Sequence, residues 1–161
     1  MKKLFTVLLL APLLAPASAL AQEATAPTKL YASSAEVQSL IAKAKAEHKG
    51  GSTNLLVVND EGYPFQLEYR TATRPPVLHP TYAELIEVIE GSCTLITGGK
   101  LMEAKPALPG AMTQGGTSIE GGTPRKVAKG DYILVPANTP HQFTDVQSLM
   151  IMTLHMPVPA K

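Results

Sequence analysis

Two histidines and one glutamate are spaced in a way that could build a metal site. His79 and Glu84 lie five positions apart, and His141 follows a Pro-bounded loop much further along the chain. Two imidazoles and a carboxylate suit a divalent transition metal, with coordination positions left for water or a substrate. Spacing alone does not show that His141 meets the other two, so that step depends on the fold.

Strand alternation predicts that Glu84 points inward. Glu84, Ile86 and Val88 are two residues apart in a run typical of a β-strand, so they share one face, and two of the three are apolar. A buried carboxylate costs free energy unless it is paired or binds a cation. Glu84 is therefore a metal ligand, or it lies in water at the mouth of the fold, or it pairs with Arg70.

The elements that would carry these residues are mostly short strands. Ser33 and Glu36 have capping-box spacing, and an apolar stripe follows, so a helix begins near Ser33 and ends before Gly50. Beyond it, apolar runs alternate with turn signals, which predicts an all-β sandwich or barrel with the short helix packed outside. The predicted strands cover residues 54–58, 65–70, 77–79, 84–89, 92–97, 117–120, 125–127, 132–136, 141–144 and 149–155.

Two of these segments carry further expectations. The Gly- and Pro-rich stretch 98–122 is too long for an ordinary connection, and such a stretch is either a lid or disordered. The last strand is apolar on both faces over residues 149–154, which predicts burial on both. One face would pack on a partner subunit or on the N-terminal helix.

Two blocks of the sequence resemble the two conserved motifs of the cupin superfamily. Residues 79–91 begin His-Pro-Thr-Tyr-Ala-Glu and end in Glu-Gly, like motif one from its second histidine to its glycine turn. Residues 130–141 read Gly-Asp, four residues, Pro, a short loop and His, which is similar to motif two almost without a gap. The resemblance covers roughly residues 53–158. It implies an antiparallel jelly-roll β-barrel, in which any metal is held by three histidines and a glutamate.

One ligand position departs from the family pattern. Motif one has another histidine two residues before the one that matches His79, and here that position is Val77. The resemblance therefore implies three metal ligands, His79, Glu84 and His141. Either the site holds one divalent transition metal (Zn, Fe, Mn, Ni or Cu) with more open positions, or metal binding has weakened and the pocket only binds a ligand.

Five further side chains are candidates for the wall of a ligand pocket, each with an ordinary structural role as the alternative. Arg70 is a candidate for anion binding, because a guanidinium suits carboxylate recognition. His155 lies on the last strand and could approach the pocket, or could be a partly buried histidine beside Met156. The candidates are Val77, Arg70, Tyr82, Gln142 and His155.

The resemblance does not select a reaction, because one fold hosts many functions. The superfamily includes oxygenases, isomerases and lyases as well as sugar-binding and storage proteins. We therefore expect a barrel-centred metal site that acts on or binds a small organic molecule, and enzyme activity stays open. The alternative is a non-catalytic module that binds a sugar or carboxylate with little or no metal.

The N-terminal residues resemble a secretory signal peptide. Lys2 and Lys3 precede an apolar run, and Ala19-Leu20-Ala21 has the small-x-small pattern of a cleavage site. An uncleaved N-terminal anchor is the alternative. No later run is long and apolar enough for a membrane span, so no stable anchor remains after cleavage. We predict a signal peptide over 1–21, a flexible leader over 22–30 and one cupin-like domain over 31–161, exported to the periplasm or outside the cell.

Composition narrows the range of partners. The chain has 14 basic and 13 acidic side chains, so removal of Lys2 and Lys3 would leave a net charge of −1. No basic cluster with interleaved aromatic residues favours nucleic acid. Cys93 is the only cysteine, which excludes an internal disulfide, and its apolar neighbours predict a small buried side chain rather than a reactive nucleophile. A homodimer is the expected assembly.

Overall fold

The computed structural model describes residues 27–60, 63–105 and 111–159. The predicted signal peptide and the first part of the predicted leader lie outside these ranges. Within them, one helix is followed by ten strands. These elements are α1 (Ser34–Ala46), β1 (Ser52–Asp60), β2 (Tyr63–Arg70), β3 (Val77–Leu78), β4 (Tyr82–Thr97), β5 (Lys100–Met102), β6 (Gln114–Gly115), β7 (Ser118–Glu120), β8 (Thr123–Ala128), β9 (Tyr132–Val135) and β10 (His141–Pro157).

Helix α1 begins where the capping pattern predicts. Ser33 is the N-cap, and its hydroxyl accepts a hydrogen bond from the backbone N–H of Glu36 at 3.2 Å. The Glu36 carboxylate pairs with Lys29 Nζ at 2.7 Å, and Lys29 exchanges two 2.7 Å backbone hydrogen bonds with Asn59. The end of the segment predicted as a flexible leader is therefore tied to β1.

Two long antiparallel strands, β4 and β10, organise the main sheet. They pair from Thr97 and His141 at one end to Tyr82 and Pro157 at the other. On its other side β10 is flanked by β2 and, at His141, by β3, whereas β4 is flanked by β9 in its first half and β8 in its second. β1 extends the sheet beyond β2, and β6 extends it beyond β3. The predicted all-β class with one short helix is confirmed.

Both long strands bend without ending, so the prediction of two separate strands in each place is wrong. Hydrogen bonding continues across the bend, where Glu90 pairs with Met150 and the register of β10 shifts around Gln147. Gly91 has a φ of +75°, and a Cβ there would lie 2.4 Å from the carbonyl oxygens of Gln147 and Ser148. Glycine is required at this point because no side chain fits.

Apolar side chains pack in two layers, one on each side of the sheet. The interior cluster comprises Ile86, Val88, Cys93, Leu95, Val127, Val135, Phe143, Leu149 and Ile151. The second cluster lies between α1 and the sheet and includes Ala44 and Leu67. Met150 belongs to the second cluster while its neighbours Leu149 and Ile151 belong to the first. The predicted burial of this strand on both faces is confirmed, and α1 of the same chain covers the second face.

The long stretch 98–122 contains three short strands. β5 pairs with β7, from Lys100 and Glu120 to Met102 and Ser118, and β7 falls within the predicted strand 117–120. β6 pairs with β3, where Gly115 lies opposite Val77. Residues 106–110 lie outside the described ranges. The described part of the stretch thus returns to the strand that directly precedes His79.

We expect the Cys93 thiol to be inert toward thiol reagents in the folded protein. Cys93 is 3% exposed within the interior cluster, which confirms the predicted buried role, and burial raises its pKa to about 11. The thiolate is the reactive form, so little of it exists at neutral pH. Reaction with Ellman's reagent should be slow in buffer and fast in guanidinium chloride. Equal rates in the two conditions would contradict the buried placement.

Candidate metal centre

The three predicted ligands come from three different places in the sheet. His79 directly follows β3, Glu84 lies near the start of β4, and His141 is the first residue of β10. Val77 pairs with His141 in the sheet register, which brings β3 beside the start of β10. The backbone N–H of Asn138 donates to the carbonyl oxygen of His79 at 2.8 Å. This bond holds the loop before His141 against His79.

The Gly-Asp pair that opens the second motif fixes a turn to the strand that carries Glu84. Asp131 Oδ2 accepts a hydrogen bond from the backbone N–H of Ala128 at 2.8 Å. The N–H of Gly130 donates to the carbonyl of Val88 at 2.8 Å, and the N–H of Val88 donates to the carbonyl of Asp131 at 2.9 Å. The turn therefore aligns β9 with β4, where Glu84 pairs with Val135.

The ligand atoms of the three residues converge in the interior. His141 Nε2 lies 3.2 Å and His79 Nε2 lies 3.5 Å from Glu84 Oε2. One ligand atom from each residue lies within 4.8 Å of the others, and all three residues are buried. Ile86 and Val88 are 0% exposed, so the predicted inward face of β4 is confirmed. The alternative of a solvated Glu84 is wrong.

Hydrogen bonds to the far side of each ring select the tautomer that a metal needs. His79 Nδ1 lies 3.0 Å from the carbonyl oxygen of Met112, and His141 Nδ1 lies 3.1 Å from that of Thr139. A carbonyl can only accept, so each Nδ1 carries the proton and donates it. The Nε2 atoms then present lone pairs to the interior, which is the usual state of a metal-bound histidine.

Residues 112 and 113 were not predicted to belong to the site. The Thr113 hydroxyl lies 3.2 Å from His79 Nδ1, beside the Met112 carbonyl. Both residues belong to the long stretch 98–122, whose pairing with β3 brings it over His79. Every residue has a backbone carbonyl, so this contact does not depend on the residue type at position 112 and could not be predicted from it.

The charged state of the group favours cation binding. Burial would raise the pKa of Glu84, but the imidazoles of His141 and His79 beside its carboxylate, together with that of His155, outweigh burial and lower that pKa. Burial would lower the pKa of His79, but the adjacent Glu84 carboxylate outweighs burial and raises it. Burial lowers the pKa of His155. An ionised carboxylate therefore persists here, and it requires positive charge nearby.

The donor set fits a divalent transition metal. Glu84 Oε2 is buried and has no hydrogen-bond partner among the protein atoms described. This oxygen faces the Nε2 atoms of His79 and His141. When both rings are neutral and carry their proton on Nδ1, the Nε2 lone pairs point at the negatively charged oxygen. Protons on the imidazoles or one cation would relieve that repulsion. Imidazole and carboxylate are ligands for Zn, Fe, Mn, Ni and Cu.

A cavity of about 450 Å³ opens in front of these residues. Among the predicted pocket candidates, Val77, Arg70 and His155 line it together with the three ligand candidates. Tyr82 and Gln142 are not part of its lining. Gln142 alternates with His141 along β10, and its amide donates to the backbone carbonyl of Arg74 at 2.8 Å. The cavity is lined by Ser52, Asn54, Gln66, Glu68, Arg70, Arg74, Pro75, Pro76, Val77, His79, Glu84, Met112, Thr113, Gly115, His141, Thr153 and His155.

Arg70 is engaged by a residue that the sequence interpretation missed. Its Nη2 donates to Glu68 Oε2 at 2.8 Å, and its Nε lies 2.7 Å from Glu68 Oε1. The guanidinium also lies 4.4 Å from the centroid of the Phe143 ring. Arg70 therefore pairs with Glu68, and the suggested pairing with Glu84 is wrong. Its positive charge is already matched, which reduces its capacity to bind an anionic ligand.

Solved structures of the cupin fold resemble this chain. Hydroquinone 1,2-dioxygenase PnpCD, in complex with Cd²⁺ and 4-hydroxybenzonitrile, has a TM-score of 0.54 at 16% identity, over 74% of this chain and 72% of that chain. The protein TT1209 from Thermus thermophilus has a TM-score of 0.51 at 12% identity, over 74% of this chain and 95% of that chain. KdgF from Halomonas sp. has a TM-score of 0.49 at 13% identity, over 70% and 86% of the two chains. The likeness to the dioxygenase, a cupin-fold protein with a TM-score above 0.5, establishes a cupin-type fold.

Other comparisons add no finer assignment. No protein-family model matches the sequence. No curated protein matches it either. Among the described residues, no helix has the length and apolar character needed to cross a membrane.

Proposed function

We propose that this chain is a member of the cupin superfamily that binds one divalent transition metal through His79, Glu84 and His141. The observation that carries the proposal is the buried Glu84 carboxylate, which faces two imidazole nitrogens oriented by backbone carbonyls. A small organic molecule would bind in the adjacent cavity, whose volume of about 450 Å³ is in the range of small-molecule sites.

The residues around such a site would have different roles. A bound metal would supply Lewis-acid or oxygen chemistry to a small organic ligand. His79 and His141 provide neutral donors whose orientation is fixed by their outer hydrogen bonds, and Glu84 provides negative charge. Gln66 and Thr153 bring polar side chains to the cavity wall, where they can orient a polar ligand.

Metal analysis of the purified protein tests this function. We expect about one equivalent of a transition metal per chain after mild purification, measured by inductively coupled plasma mass spectrometry. Protein stripped with a chelator should take up one equivalent in a calorimetric titration. Folded wild-type protein that binds none of Zn, Fe, Mn, Ni or Cu would contradict the proposal.

A non-catalytic ligand-binding module is the second candidate. Val77 favours it, because its apolar side chain lines the cavity where the motif has a ligand. Thermal-shift screening with sugars and carboxylates separates the two candidates. Stabilisation that is equal with and without metal supports the binding module, whereas stabilisation that requires metal supports the metal-dependent site.

Two further parts of the proposal concern the export of the protein and its oligomeric state. We propose cleavage after Ala21 and export to the periplasm or beyond, on the pattern of residues 1–21. The intact mass of the exported protein decides this, since the mature chain would begin at Gln22. We also propose a homodimer, and sedimentation equilibrium that gives a monomer mass would contradict it.

A further inference from the structure

A third imidazole lies beside the three ligand candidates. His155 Nε2 is 3.3 Å from His79 Nε2 and 3.7 Å from Glu84 Oε1. The side chain of His155 is 13% exposed, and its ring centroid lies 4.6 Å from that of His79. In the sheet register His155 pairs directly with Glu84, which places the two side chains on the same face of neighbouring strands.

The separations of His155 Nε2 from His79 and from Glu84 are close to those of atoms bound to one ion. Ligands at about 2.1 Å from a metal lie about 3.0 to 3.4 Å apart in octahedral or tetrahedral geometry. The separation of 3.3 Å between His155 Nε2 and His79 Nε2 falls in this range, and the 3.7 Å to Glu84 Oε1 is slightly above it. Glu84 Oε2 is shared by His79 and His141, whereas Oε1 faces His155.

We propose that His155 is a fourth metal ligand, supplied by β10 from outside both motifs. This inference rests on the proposed metal site and extends its donor set to three imidazoles and one carboxylate. Val77 lines the same cavity but offers no donor atom, so the third imidazole comes from the strand that pairs with β4. The last strand then contributes two ligands, His141 at its start and His155 near its end.

His155 should bind the metal less firmly than the other two histidines. Its Nδ1 is buried without a hydrogen-bond partner among the described protein atoms, whereas the Nδ1 atoms of His79 and His141 meet backbone carbonyls. Outer hydrogen bonds orient a ligand and increase its basicity. We therefore expect His155→Gln to weaken Cu²⁺ binding by about 10- to 100-fold and His141→Gln to weaken it more.

Electron paramagnetic resonance of the full chain loaded with one equivalent of Cu²⁺ tests the donor set. Echo-envelope modulation counts bound imidazoles, and we expect three in wild type and two in His155→Gln. His48→Gln is the matched control and should keep three, because His48 contacts Thr53 and Thr71 away from the cavity.

The number of imidazoles in the wild-type spectrum tests the role of His155 even if His155→Gln does not fold. Tight Cu²⁺ binding with two imidazoles in wild type would overturn the role of His155 and leave the proposed function standing. A folded wild type that binds no Cu²⁺ or other transition metal would overturn both.

Discussion

Replacement of Glu84 by glutamine should abolish tight metal binding and leave the fold intact. Glutamine keeps the size of the side chain but removes the anionic member of a group whose other members are imidazoles. A divalent cation at this buried position without that charge is costly. We expect metal affinity to fall by about 100-fold or more, because loss of an outer partner of a ligand already costs roughly 10- to 100-fold.

Calorimetric titration with Zn²⁺ and thermal melting measure this effect together. Metal at a thousand times its dissociation constant stabilises the folded state by about 4 kcal/mol, so the wild-type melting temperature should rise on metal addition. The melting temperature of Glu84→Gln should respond weakly or not at all. Circular dichroism of the metal-free variant checks that the fold is retained.

Glu87→Gln is the matched control for this variant. Glu87 lies on the same strand with the opposite alternation and pairs in register with Tyr132 on β9. It should bind Zn²⁺ like wild type. Equal Zn²⁺ affinity of wild type and Glu84→Gln would mean that the metal binds elsewhere.

Much of this site could be predicted because its signals are local. The inward direction of Glu84 follows from the two-residue period of a strand and the apolar character of positions 86 and 88. His79 and His141 stand at fixed positions of the two cupin-like motifs. Asn138 then brings the two motifs together through a bond to the His79 carbonyl. The resemblance supplied this long-range step, which spacing alone did not.

The features that escaped prediction depend on long-range register. His155 was predicted as a candidate for the pocket wall, but its contact with Glu84 was not predicted, because that contact depends on one particular alignment of β10 with β4, 71 positions apart in sequence. That alignment passes through a bend at Gly91, where strands were predicted to end. A turn signal in the sequence does not distinguish a bend that continues a strand from a turn that ends it.

Glu68 was missed although a local signal was present. Along β2, Gln66, Glu68 and Arg70 alternate with the apolar residues Phe65 and Leu67. The polar series lines the cavity, and the apolar series packs under α1. Alternation predicts two faces but not which one points inward. Here the polar face of β2 lines the cavity because helix α1 covers the apolar face.

Removal of one partner of the buried Glu68 and Arg70 ion pair should destabilise the protein more than removal of one partner of an exposed ion pair does. The side chains are 9% and 17% exposed and make two contacts at 2.7 and 2.8 Å. Arg70→Met leaves the Glu68 carboxylate buried without its counter-ion, which costs about 3 kcal/mol or more. Loss of the guanidinium contact with Phe143 adds to this.

Urea denaturation of chelator-treated protein measures this effect without interference from metal. The double variant Glu68→Leu/Arg70→Met should recover most of the stability, since replacing both partners of a buried pair by apolar residues is often neutral or stabilising. The control is Lys45→Met, because Lys45 and Glu90 form an ion pair at 2.5 Å with side chains 42% and 41% exposed. Its loss should cost less than about 1 kcal/mol.

The same variants separate the ion pair from the metal site. Glu68 and Arg70 share the cavity with the ligands but are not members of the ligand group. Once folded, the double variant should bind Zn²⁺ within a few-fold of wild type. Arg70→Met that is no less stable than Lys45→Met would show that the buried pair contributes little. A double variant that folds but binds no Zn²⁺ would show that the pair positions the metal ligands.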